Sequence, residues 1–122
     1  MSHTVTIETE VKDASAVEAA CRRLGHSAPV IGEHTLYSGR YTGLAVQLPG
    51  WHYPIVCDLK TGEINYDNFE GLWGDQQHLD RFLQGYAAEK TRIAARAKGY
   101  TAVEQTLPNG CIAVEIRVGG AA

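Results

Sequence analysis

The chain has 122 residues, 44% hydrophobic and 20% charged, a balance that suits one soluble domain with a core needing no metal or disulfide staple. Its formal net charge of −3 argues against general nucleic-acid binding, which needs a basic surface, and its apolar runs are far shorter than a membrane span. Cys21, Cys57 and Cys111 are odd in number and widely spaced. They therefore read as small packed hydrophobes in a reduced, cytoplasmic compartment rather than as zinc or disulfide ligands. The N-terminus runs straight into alternating residues with no signal-peptide pattern.

From Thr4 to Val11 the residues alternate, with Val5, Ile7, Thr9 and Val11 on one face, the pattern of a half-buried strand. Asp13, or Ser15 with Glu18 as a capping box, then starts a helix whose stripe is Val17, Ala20, Cys21 and Leu24, and Gly25 ends it. His26 to Gly32 reads as a loop with Val30 and Ile31 touching the core, followed by a strand from His34 to Tyr41 with Gly39 as a bulge. Leu44, Val46 and Leu48 share a face before Pro49-Gly50 breaks the chain. Trp51, Tyr53, Ile55, Cys57 and Leu59 give the clearest alternation of all. After the turn at Lys60 to Glu63 the chain extends again through Ile64, Tyr66 and Asn68.

Gly71-Leu72-Trp73-Gly74 forms an apolar corner. Asp75 caps a long helix with the stripe Leu79, Phe82, Leu83, Tyr86, Ala87, Ile93, Ala94 and Ala97, interrupted by a helix-weakening Gly85 and ended by Gly99. Thr101 to Leu107 and Cys111 to Val118 flank Asn109-Gly110, which predicts a hairpin with a type I′ turn. The expected fold is a single α+β domain over residues 1–118 with a flexible tail at 119–122. Its strands form a single antiparallel sheet with two helices packed on one face, in the order β-α-β-β-β-α-β-β.

Chemistry is sparse. Histidines 3, 26, 34, 52 and 78 include no pair three to five residues apart, and His52 and Asp58 on one strand would lie about 20 Å from each other, so neither a metal nor a cofactor is predicted. Asp58, Glu63, Asp67, Glu70, Asp75 and Asp80 read as turn and cap residues before they read as an acidic docking face. Arg92 and Arg96, one turn apart on the long helix, are the one hint of an anionic partner. Trp73, at its glycine-flanked corner, is a candidate interface anchor. His52, Val56, Asp58, Glu115 and Arg117 are expected to point outward and join it, while Trp51 and Tyr53 fall on the core side.

Met1-Ser2-His3, Tyr53-Pro54-Ile55, Leu83-Gln84-x-Tyr86-Ala87, Gly99-Tyr100 and Asn109-Gly110 occur here in one order. Together they resemble a small conserved open-reading-frame family of plastids, cyanobacteria and other bacteria, a domain of unknown function. The resemblance spans nearly the whole chain and implies no catalytic residues. It implies an accessory or adaptor role, because relatives are encoded beside an AAA-type ATPase. The reading is thus a non-enzymatic protein-interaction module, with a homodimer through an open sheet edge as a further expectation. The alternative is a ligand-binding or enzymatic domain with a cleft between sheet and long helix, holding Tyr66, Tyr86 and a histidine. A third reading is RNA on the Arg92–Arg96 face.

Overall fold

A computed structural model describes residues 4–119; Met1 to His3 of the resemblance, and all but Gly119 of the expected tail, lie outside the described residues. Strand β1 (Val5–Glu8) leads into α1 (Ala14–Leu24), then β2 (Val30–Leu36), β3 (Gly39–Val46), β4 (Ile55–Asp58) and β5 (Glu63–Tyr66). A single 3₁₀ turn (Phe69–Gly71) precedes α2 (Gln76–Ala97), and β6 (Thr101–Thr106) and β7 (Ile112–Arg117) finish the chain. The class is α+β, as the sequence predicts. Four strands rather than three separate the helices, and there are two sheets rather than one. The larger has the order β1-β5-β4-β3-β2, antiparallel throughout, while β6 and β7 form a two-stranded sheet of their own packed against α2.

Both helices cover the same face of the large sheet. Ala16, Val17, Ala20 and Cys21 of α1 and Leu79, Phe82 and Tyr86 of α2 share one core with Leu44, Val46, Ile55, Cys57, Ile64 and Tyr66. Helix α1 is capped by Asp13, whose Oδ1 accepts from the amides of Ser15 and Ala16, and it ends at Gly25 with φ 75°. Asp75 caps α2 by accepting from the Gln77 amide. Gly85 does not interrupt α2. A β-carbon there would lie 3.4 Å from Leu24 Cδ1, so the missing side chain lets α1 approach closely. Tyr86 ties the layers together: its hydroxyl accepts from the Lys12 and Asp13 amides and donates to the Glu10 carbonyl.

The other face of the sheet is covered too, by β2 and β3. Register alone would carry the tip of this hairpin, Tyr37-Ser38, beyond the Asp58 end of β4, since Leu44 pairs with Cys57 and Val46 with Ile55. Instead Ser38 hydrogen-bonds Thr4, beside β1 at the opposite edge of the sheet, and Tyr37 packs against Trp73. Both facts hold together only if the ribbon folds back across the face that the helices leave bare. The bend falls where Gly32 pairs with Gly43. Gly32 has φ 141°, and a β-carbon on Gly43 would collide with the Cys57 carbonyl. Burial follows the fold-back. Leu36, Ala45 and Val56 are buried outside the helix-side core, while Glu33, Thr35, Arg40 and Thr42 on the ribbon's outer side are exposed.

Several sequence expectations change with this geometry. The single strand predicted over His34–Tyr41 is instead the end of β2 and the start of β3, joined by a tight turn at Tyr37-Ser38 made without the usual Gly or Asn and without positive φ at either residue. Val30 and Ile31 belong to β2 and are 59% and 71% exposed instead of touching the core. The strand expected from Trp51 begins only at Ile55, beyond Pro54, which has no amide to donate to a ladder. In the last hairpin the Leu107 amide still reaches the Cys111 carbonyl. The loop is therefore three residues, Pro108-Asn109-Gly110, with positive φ only at Gly110, in place of a two-residue type I′ turn.

The fold-back makes Gly43 the least replaceable glycine of the sheet. Gly43→Ala is expected to cost about 1–3 kcal/mol through backbone displacement at Cys57, measured by urea denaturation. Gly39→Ala, where a β-carbon meets only the Tyr41 ring at 4.0 Å, should stay within about 0.5 kcal/mol of the parent, as surface changes usually do.

Candidate functional site

Two features stand out, on different parts of the surface. The first is built by the segment between β5 and α2. Phe69 and Glu70 adopt left-handed backbone angles (φ 47° and 53°) that non-glycine residues rarely take, at a cost on the order of 1 kcal/mol or more each. Side chains beneath the loop hold it there. Asp67 Oδ1 accepts from the Phe69 amide, and Asn68 Nδ2 donates to the Gly74 carbonyl and to Gln76 Oε1. The Asn68 carbonyl accepts from the Gly71 and Trp73 amides. Both supports are buried, and the second carboxylate oxygen of Asp67 has no hydrogen-bond partner among the described residues. Gly74 is pressed against the Trp51 ring, leaving no room for a side chain, and Trp51 Nε1 donates to the Asp75 carbonyl.

The strained loop presents Trp73 at the centre of an aromatic cluster. Phe69 lies 4.7 Å from it between ring centroids, His52 5.5 Å, Tyr37 5.6 Å and Tyr53 5.8 Å. The His52 amide donates to the Trp73 carbonyl, fixing the two segments together. Tyr37 in the cluster is 60% exposed, and Leu72, the residue before Trp73, is 76% exposed. The sequence points to Trp73 and His52 separately, and the structure joins them. Tyr37, Tyr53 and Phe69 were missed. Alternation places Tyr53 on the core face of a strand that begins only after Pro54, and Tyr37 arrives only through the hairpin fold-back.

The second feature lies between the helices. Glu104 on β6 bonds Arg23 of α1 and, at 3.1 Å, Arg92 of α2, and Arg23 also meets Glu89 at 3.2 Å. This knot fastens the small sheet to both helices. Arg23, then Arg92, holds the Glu104 carboxyl below its usual range, and Arg23 is raised mainly by Glu104. Around the knot is a half-open cavity of about 500 Å³ lined by Arg22, Arg23, Glu89, Arg92 and Arg96.

The remaining predicted residues do not join either feature. Val56 is fully buried under the folded hairpin, correcting its expected outward position. Asp58 accepts from the Lys60 amide and shapes a turn. Glu115 and Arg117 pair with each other at 2.8 Å on the exposed side of β7. Tyr66 and Tyr86, expected to line a cleft, are packed inside the core instead. β1 and β2 are the edge strands of the larger sheet, and Val30 and Ile31 on β2 are exposed. Cys57 is buried and its thiol is pushed up to about 12 by desolvation, and burial likewise raises Cys21, so both pack as inert thiols. Among the described residues no three His, Cys, Asp or Glu side chains gather into a metal-binding group, and no helix is long and apolar enough to cross a membrane. No protein-family model, curated protein or solved structure matches the chain.

The knot has a pH signature. A carboxyl whose folded pKa is depressed contributes stability that is present above its unfolded value, 4.5 for Glu104, and is lost as pH falls through the folded one. Asp13, lowered chiefly by its hydrogen bond from Lys90, acts in the same direction. Glu104→Gln should therefore lower the urea midpoint at about pH 7, and the gap to the parent should narrow toward about pH 3. Asp13 should leave the variant a smaller residual acid sensitivity.

Proposed function

We propose that the protein is a non-enzymatic interaction module that docks a partner protein on the Trp73 cluster. The observation that supports this is a tryptophan surrounded by four other rings, on a loop whose backbone strain the buried Asp67 and Asn68 maintain. Large aromatic side chains on a pre-shaped support lose little freedom on binding, which is why Trp and Tyr dominate interface hot spots. Within the cluster Tyr37 and His52 are exposed, and Leu72, next to Trp73 in the chain, adds a further exposed apolar side chain. The resemblance noted in the sequence makes an AAA-type ATPase of the same cytoplasm the first partner to test.

Leu72→Asp places a charge on a side chain that is 76% exposed and leaves the fold intact, whereas Trp73→Ala removes the anchor itself. Each should weaken partner binding by at least about 2 kcal/mol, roughly thirtyfold. Arg117→Ala, on the distant β7 surface, should change nothing. Quantitative affinity purification from the native host, followed by binding measurements on the recovered partner, makes the comparison. Recovery of the protein alone, or equal binding by all three variants, refutes the reading.

A further inference from the structure

The groove between α1 and α2 concentrates positive charge on a chain whose net charge is −3. Four arginines line it against a single carboxylate, Glu89. Arg23 and Arg92 are neutralised through Glu104 and Glu89. Arg22 and Arg96 have no acidic partner among the described residues, and both are exposed. Guanidinium groups drawn together in this way repel one another, and a bound anion removes that cost. Their planar forks match phosphate oxygens two at a time.

A second hollow of about 200 Å³ shares Arg92 and Arg96 with the first and is lined beyond them by Tyr100, Thr101 and Ala102. Tyr100 is half-buried at the junction of α2 and β6, where its amide bonds the Ala95 carbonyl. The two hollows therefore adjoin through one arginine pair, one rich in cations and the other offering an aromatic ring. The larger hollow alone is within the size range of small-molecule sites, the smaller adjoins it, and ring-on-base stacking is tolerant of base identity.

From this juxtaposition we infer that the groove binds a nucleoside diphosphate or triphosphate, its phosphates between Arg22 and Arg96 and its base against Tyr100. The knot at Glu104 positions Arg23 and Arg92 rather than meeting the ligand. The site is separate from the Trp73 cluster and does not depend on that surface having a partner.

Isothermal titration calorimetry on the full chain, with ADP, pyrophosphate and adenosine as probes, tests the assignment. ADP should bind, pyrophosphate more weakly, and adenosine not measurably. Arg22→Ala and Arg96→Ala should each weaken ADP at least tenfold, with Arg40→Ala, an exposed arginine outside the groove, as the unchanged control. Tyr100→Ala should reduce ADP to the affinity of pyrophosphate without altering pyrophosphate itself. Thermal unfolding of each variant identifies any loss that comes from misfolding, and Arg96→Lys, which keeps the charge but loses the fork, should fall between the parent and Arg96→Ala. Absence of ADP binding overturns the inference, as does ADP binding unaffected by the arginine or Tyr100 variants. Binding confined to an oligonucleotide, with a steep salt dependence, overturns it in favour of a nucleic-acid surface.

Discussion

Ile55, Val56 and Cys57 are consecutive residues of β4, and none of the three is exposed to water. Successive side chains of a strand point to opposite faces, so burying all three requires cover on both sides of the sheet. Two helices supply one cover. The other cover comes from bending the β2–β3 ribbon through Gly32 and Gly43. That bend has a consequence away from the core. It delivers Tyr37 to Trp73 and Ser38 to Thr4, so the aromatic cluster and the packing of β4 rest on the same pair of glycines.

The helices were legible in the sequence because their signals are local. Asp13, Gly25, Asp75 and Gly99 act through hydrogen bonds and dihedral angles within a turn of where they stand, and tertiary contacts had no reason to overrule them. The strands were less so. Alternation places Ile55 and Cys57 correctly on the helix side, but it also assigns Val56 to solvent, because periodicity reports the two faces of a strand and not what lies over them. The hairpin at Tyr37-Ser38 uses no positive φ and so lacks the glycine or asparagine that would announce it. Gly32 and Gly43 did carry a signal, since glycine within a strand marks a bend or a close backbone approach, but their pairing is invisible until the hairpin between them is recognised. Of the surface residues, Trp73 and His52 were identified as individuals. Their proximity depends on the loop fixed by Asp67 and Asn68, two residues whose short polar side chains read as ordinary turn chemistry.

The small sheet poses a different physical problem. A two-stranded hairpin is marginal by itself in water, and Val103, Leu107, Ile116 and Val118 of this one remain 36% exposed or more. Packing against α2 covers only part of it. Glu104 supplies a directional attachment, reaching Arg23 on α1 and Arg92 on α2 from the hairpin face that also carries Ala102, Val114 and Ile116. The carboxylate is the common partner of this knot, because its removal leaves Arg92 without an acidic partner and Arg23 with Glu89 alone. The Arg92 that reads from sequence as a free cation is therefore mostly engaged, and Arg96, one turn later, keeps the charge that faces outward.

The division between Arg92 and Arg96 decides what the basic groove can do. If all four arginines were paired, the groove would be a structural clamp with no field left for a ligand. If none were, repulsion among them would work against the α1–α2 packing, which includes the contact of Leu24 with Gly85. The structure lies between these limits. Glu104 and Glu89 neutralise Arg23 and Arg92, which ties the small sheet to both helices, and Arg22 and Arg96 line the groove exposed and without an acidic partner among the described residues. Such an arrangement is preorganised for an anion, since the cost of assembling like charges has already been met in folding and is not charged again on binding.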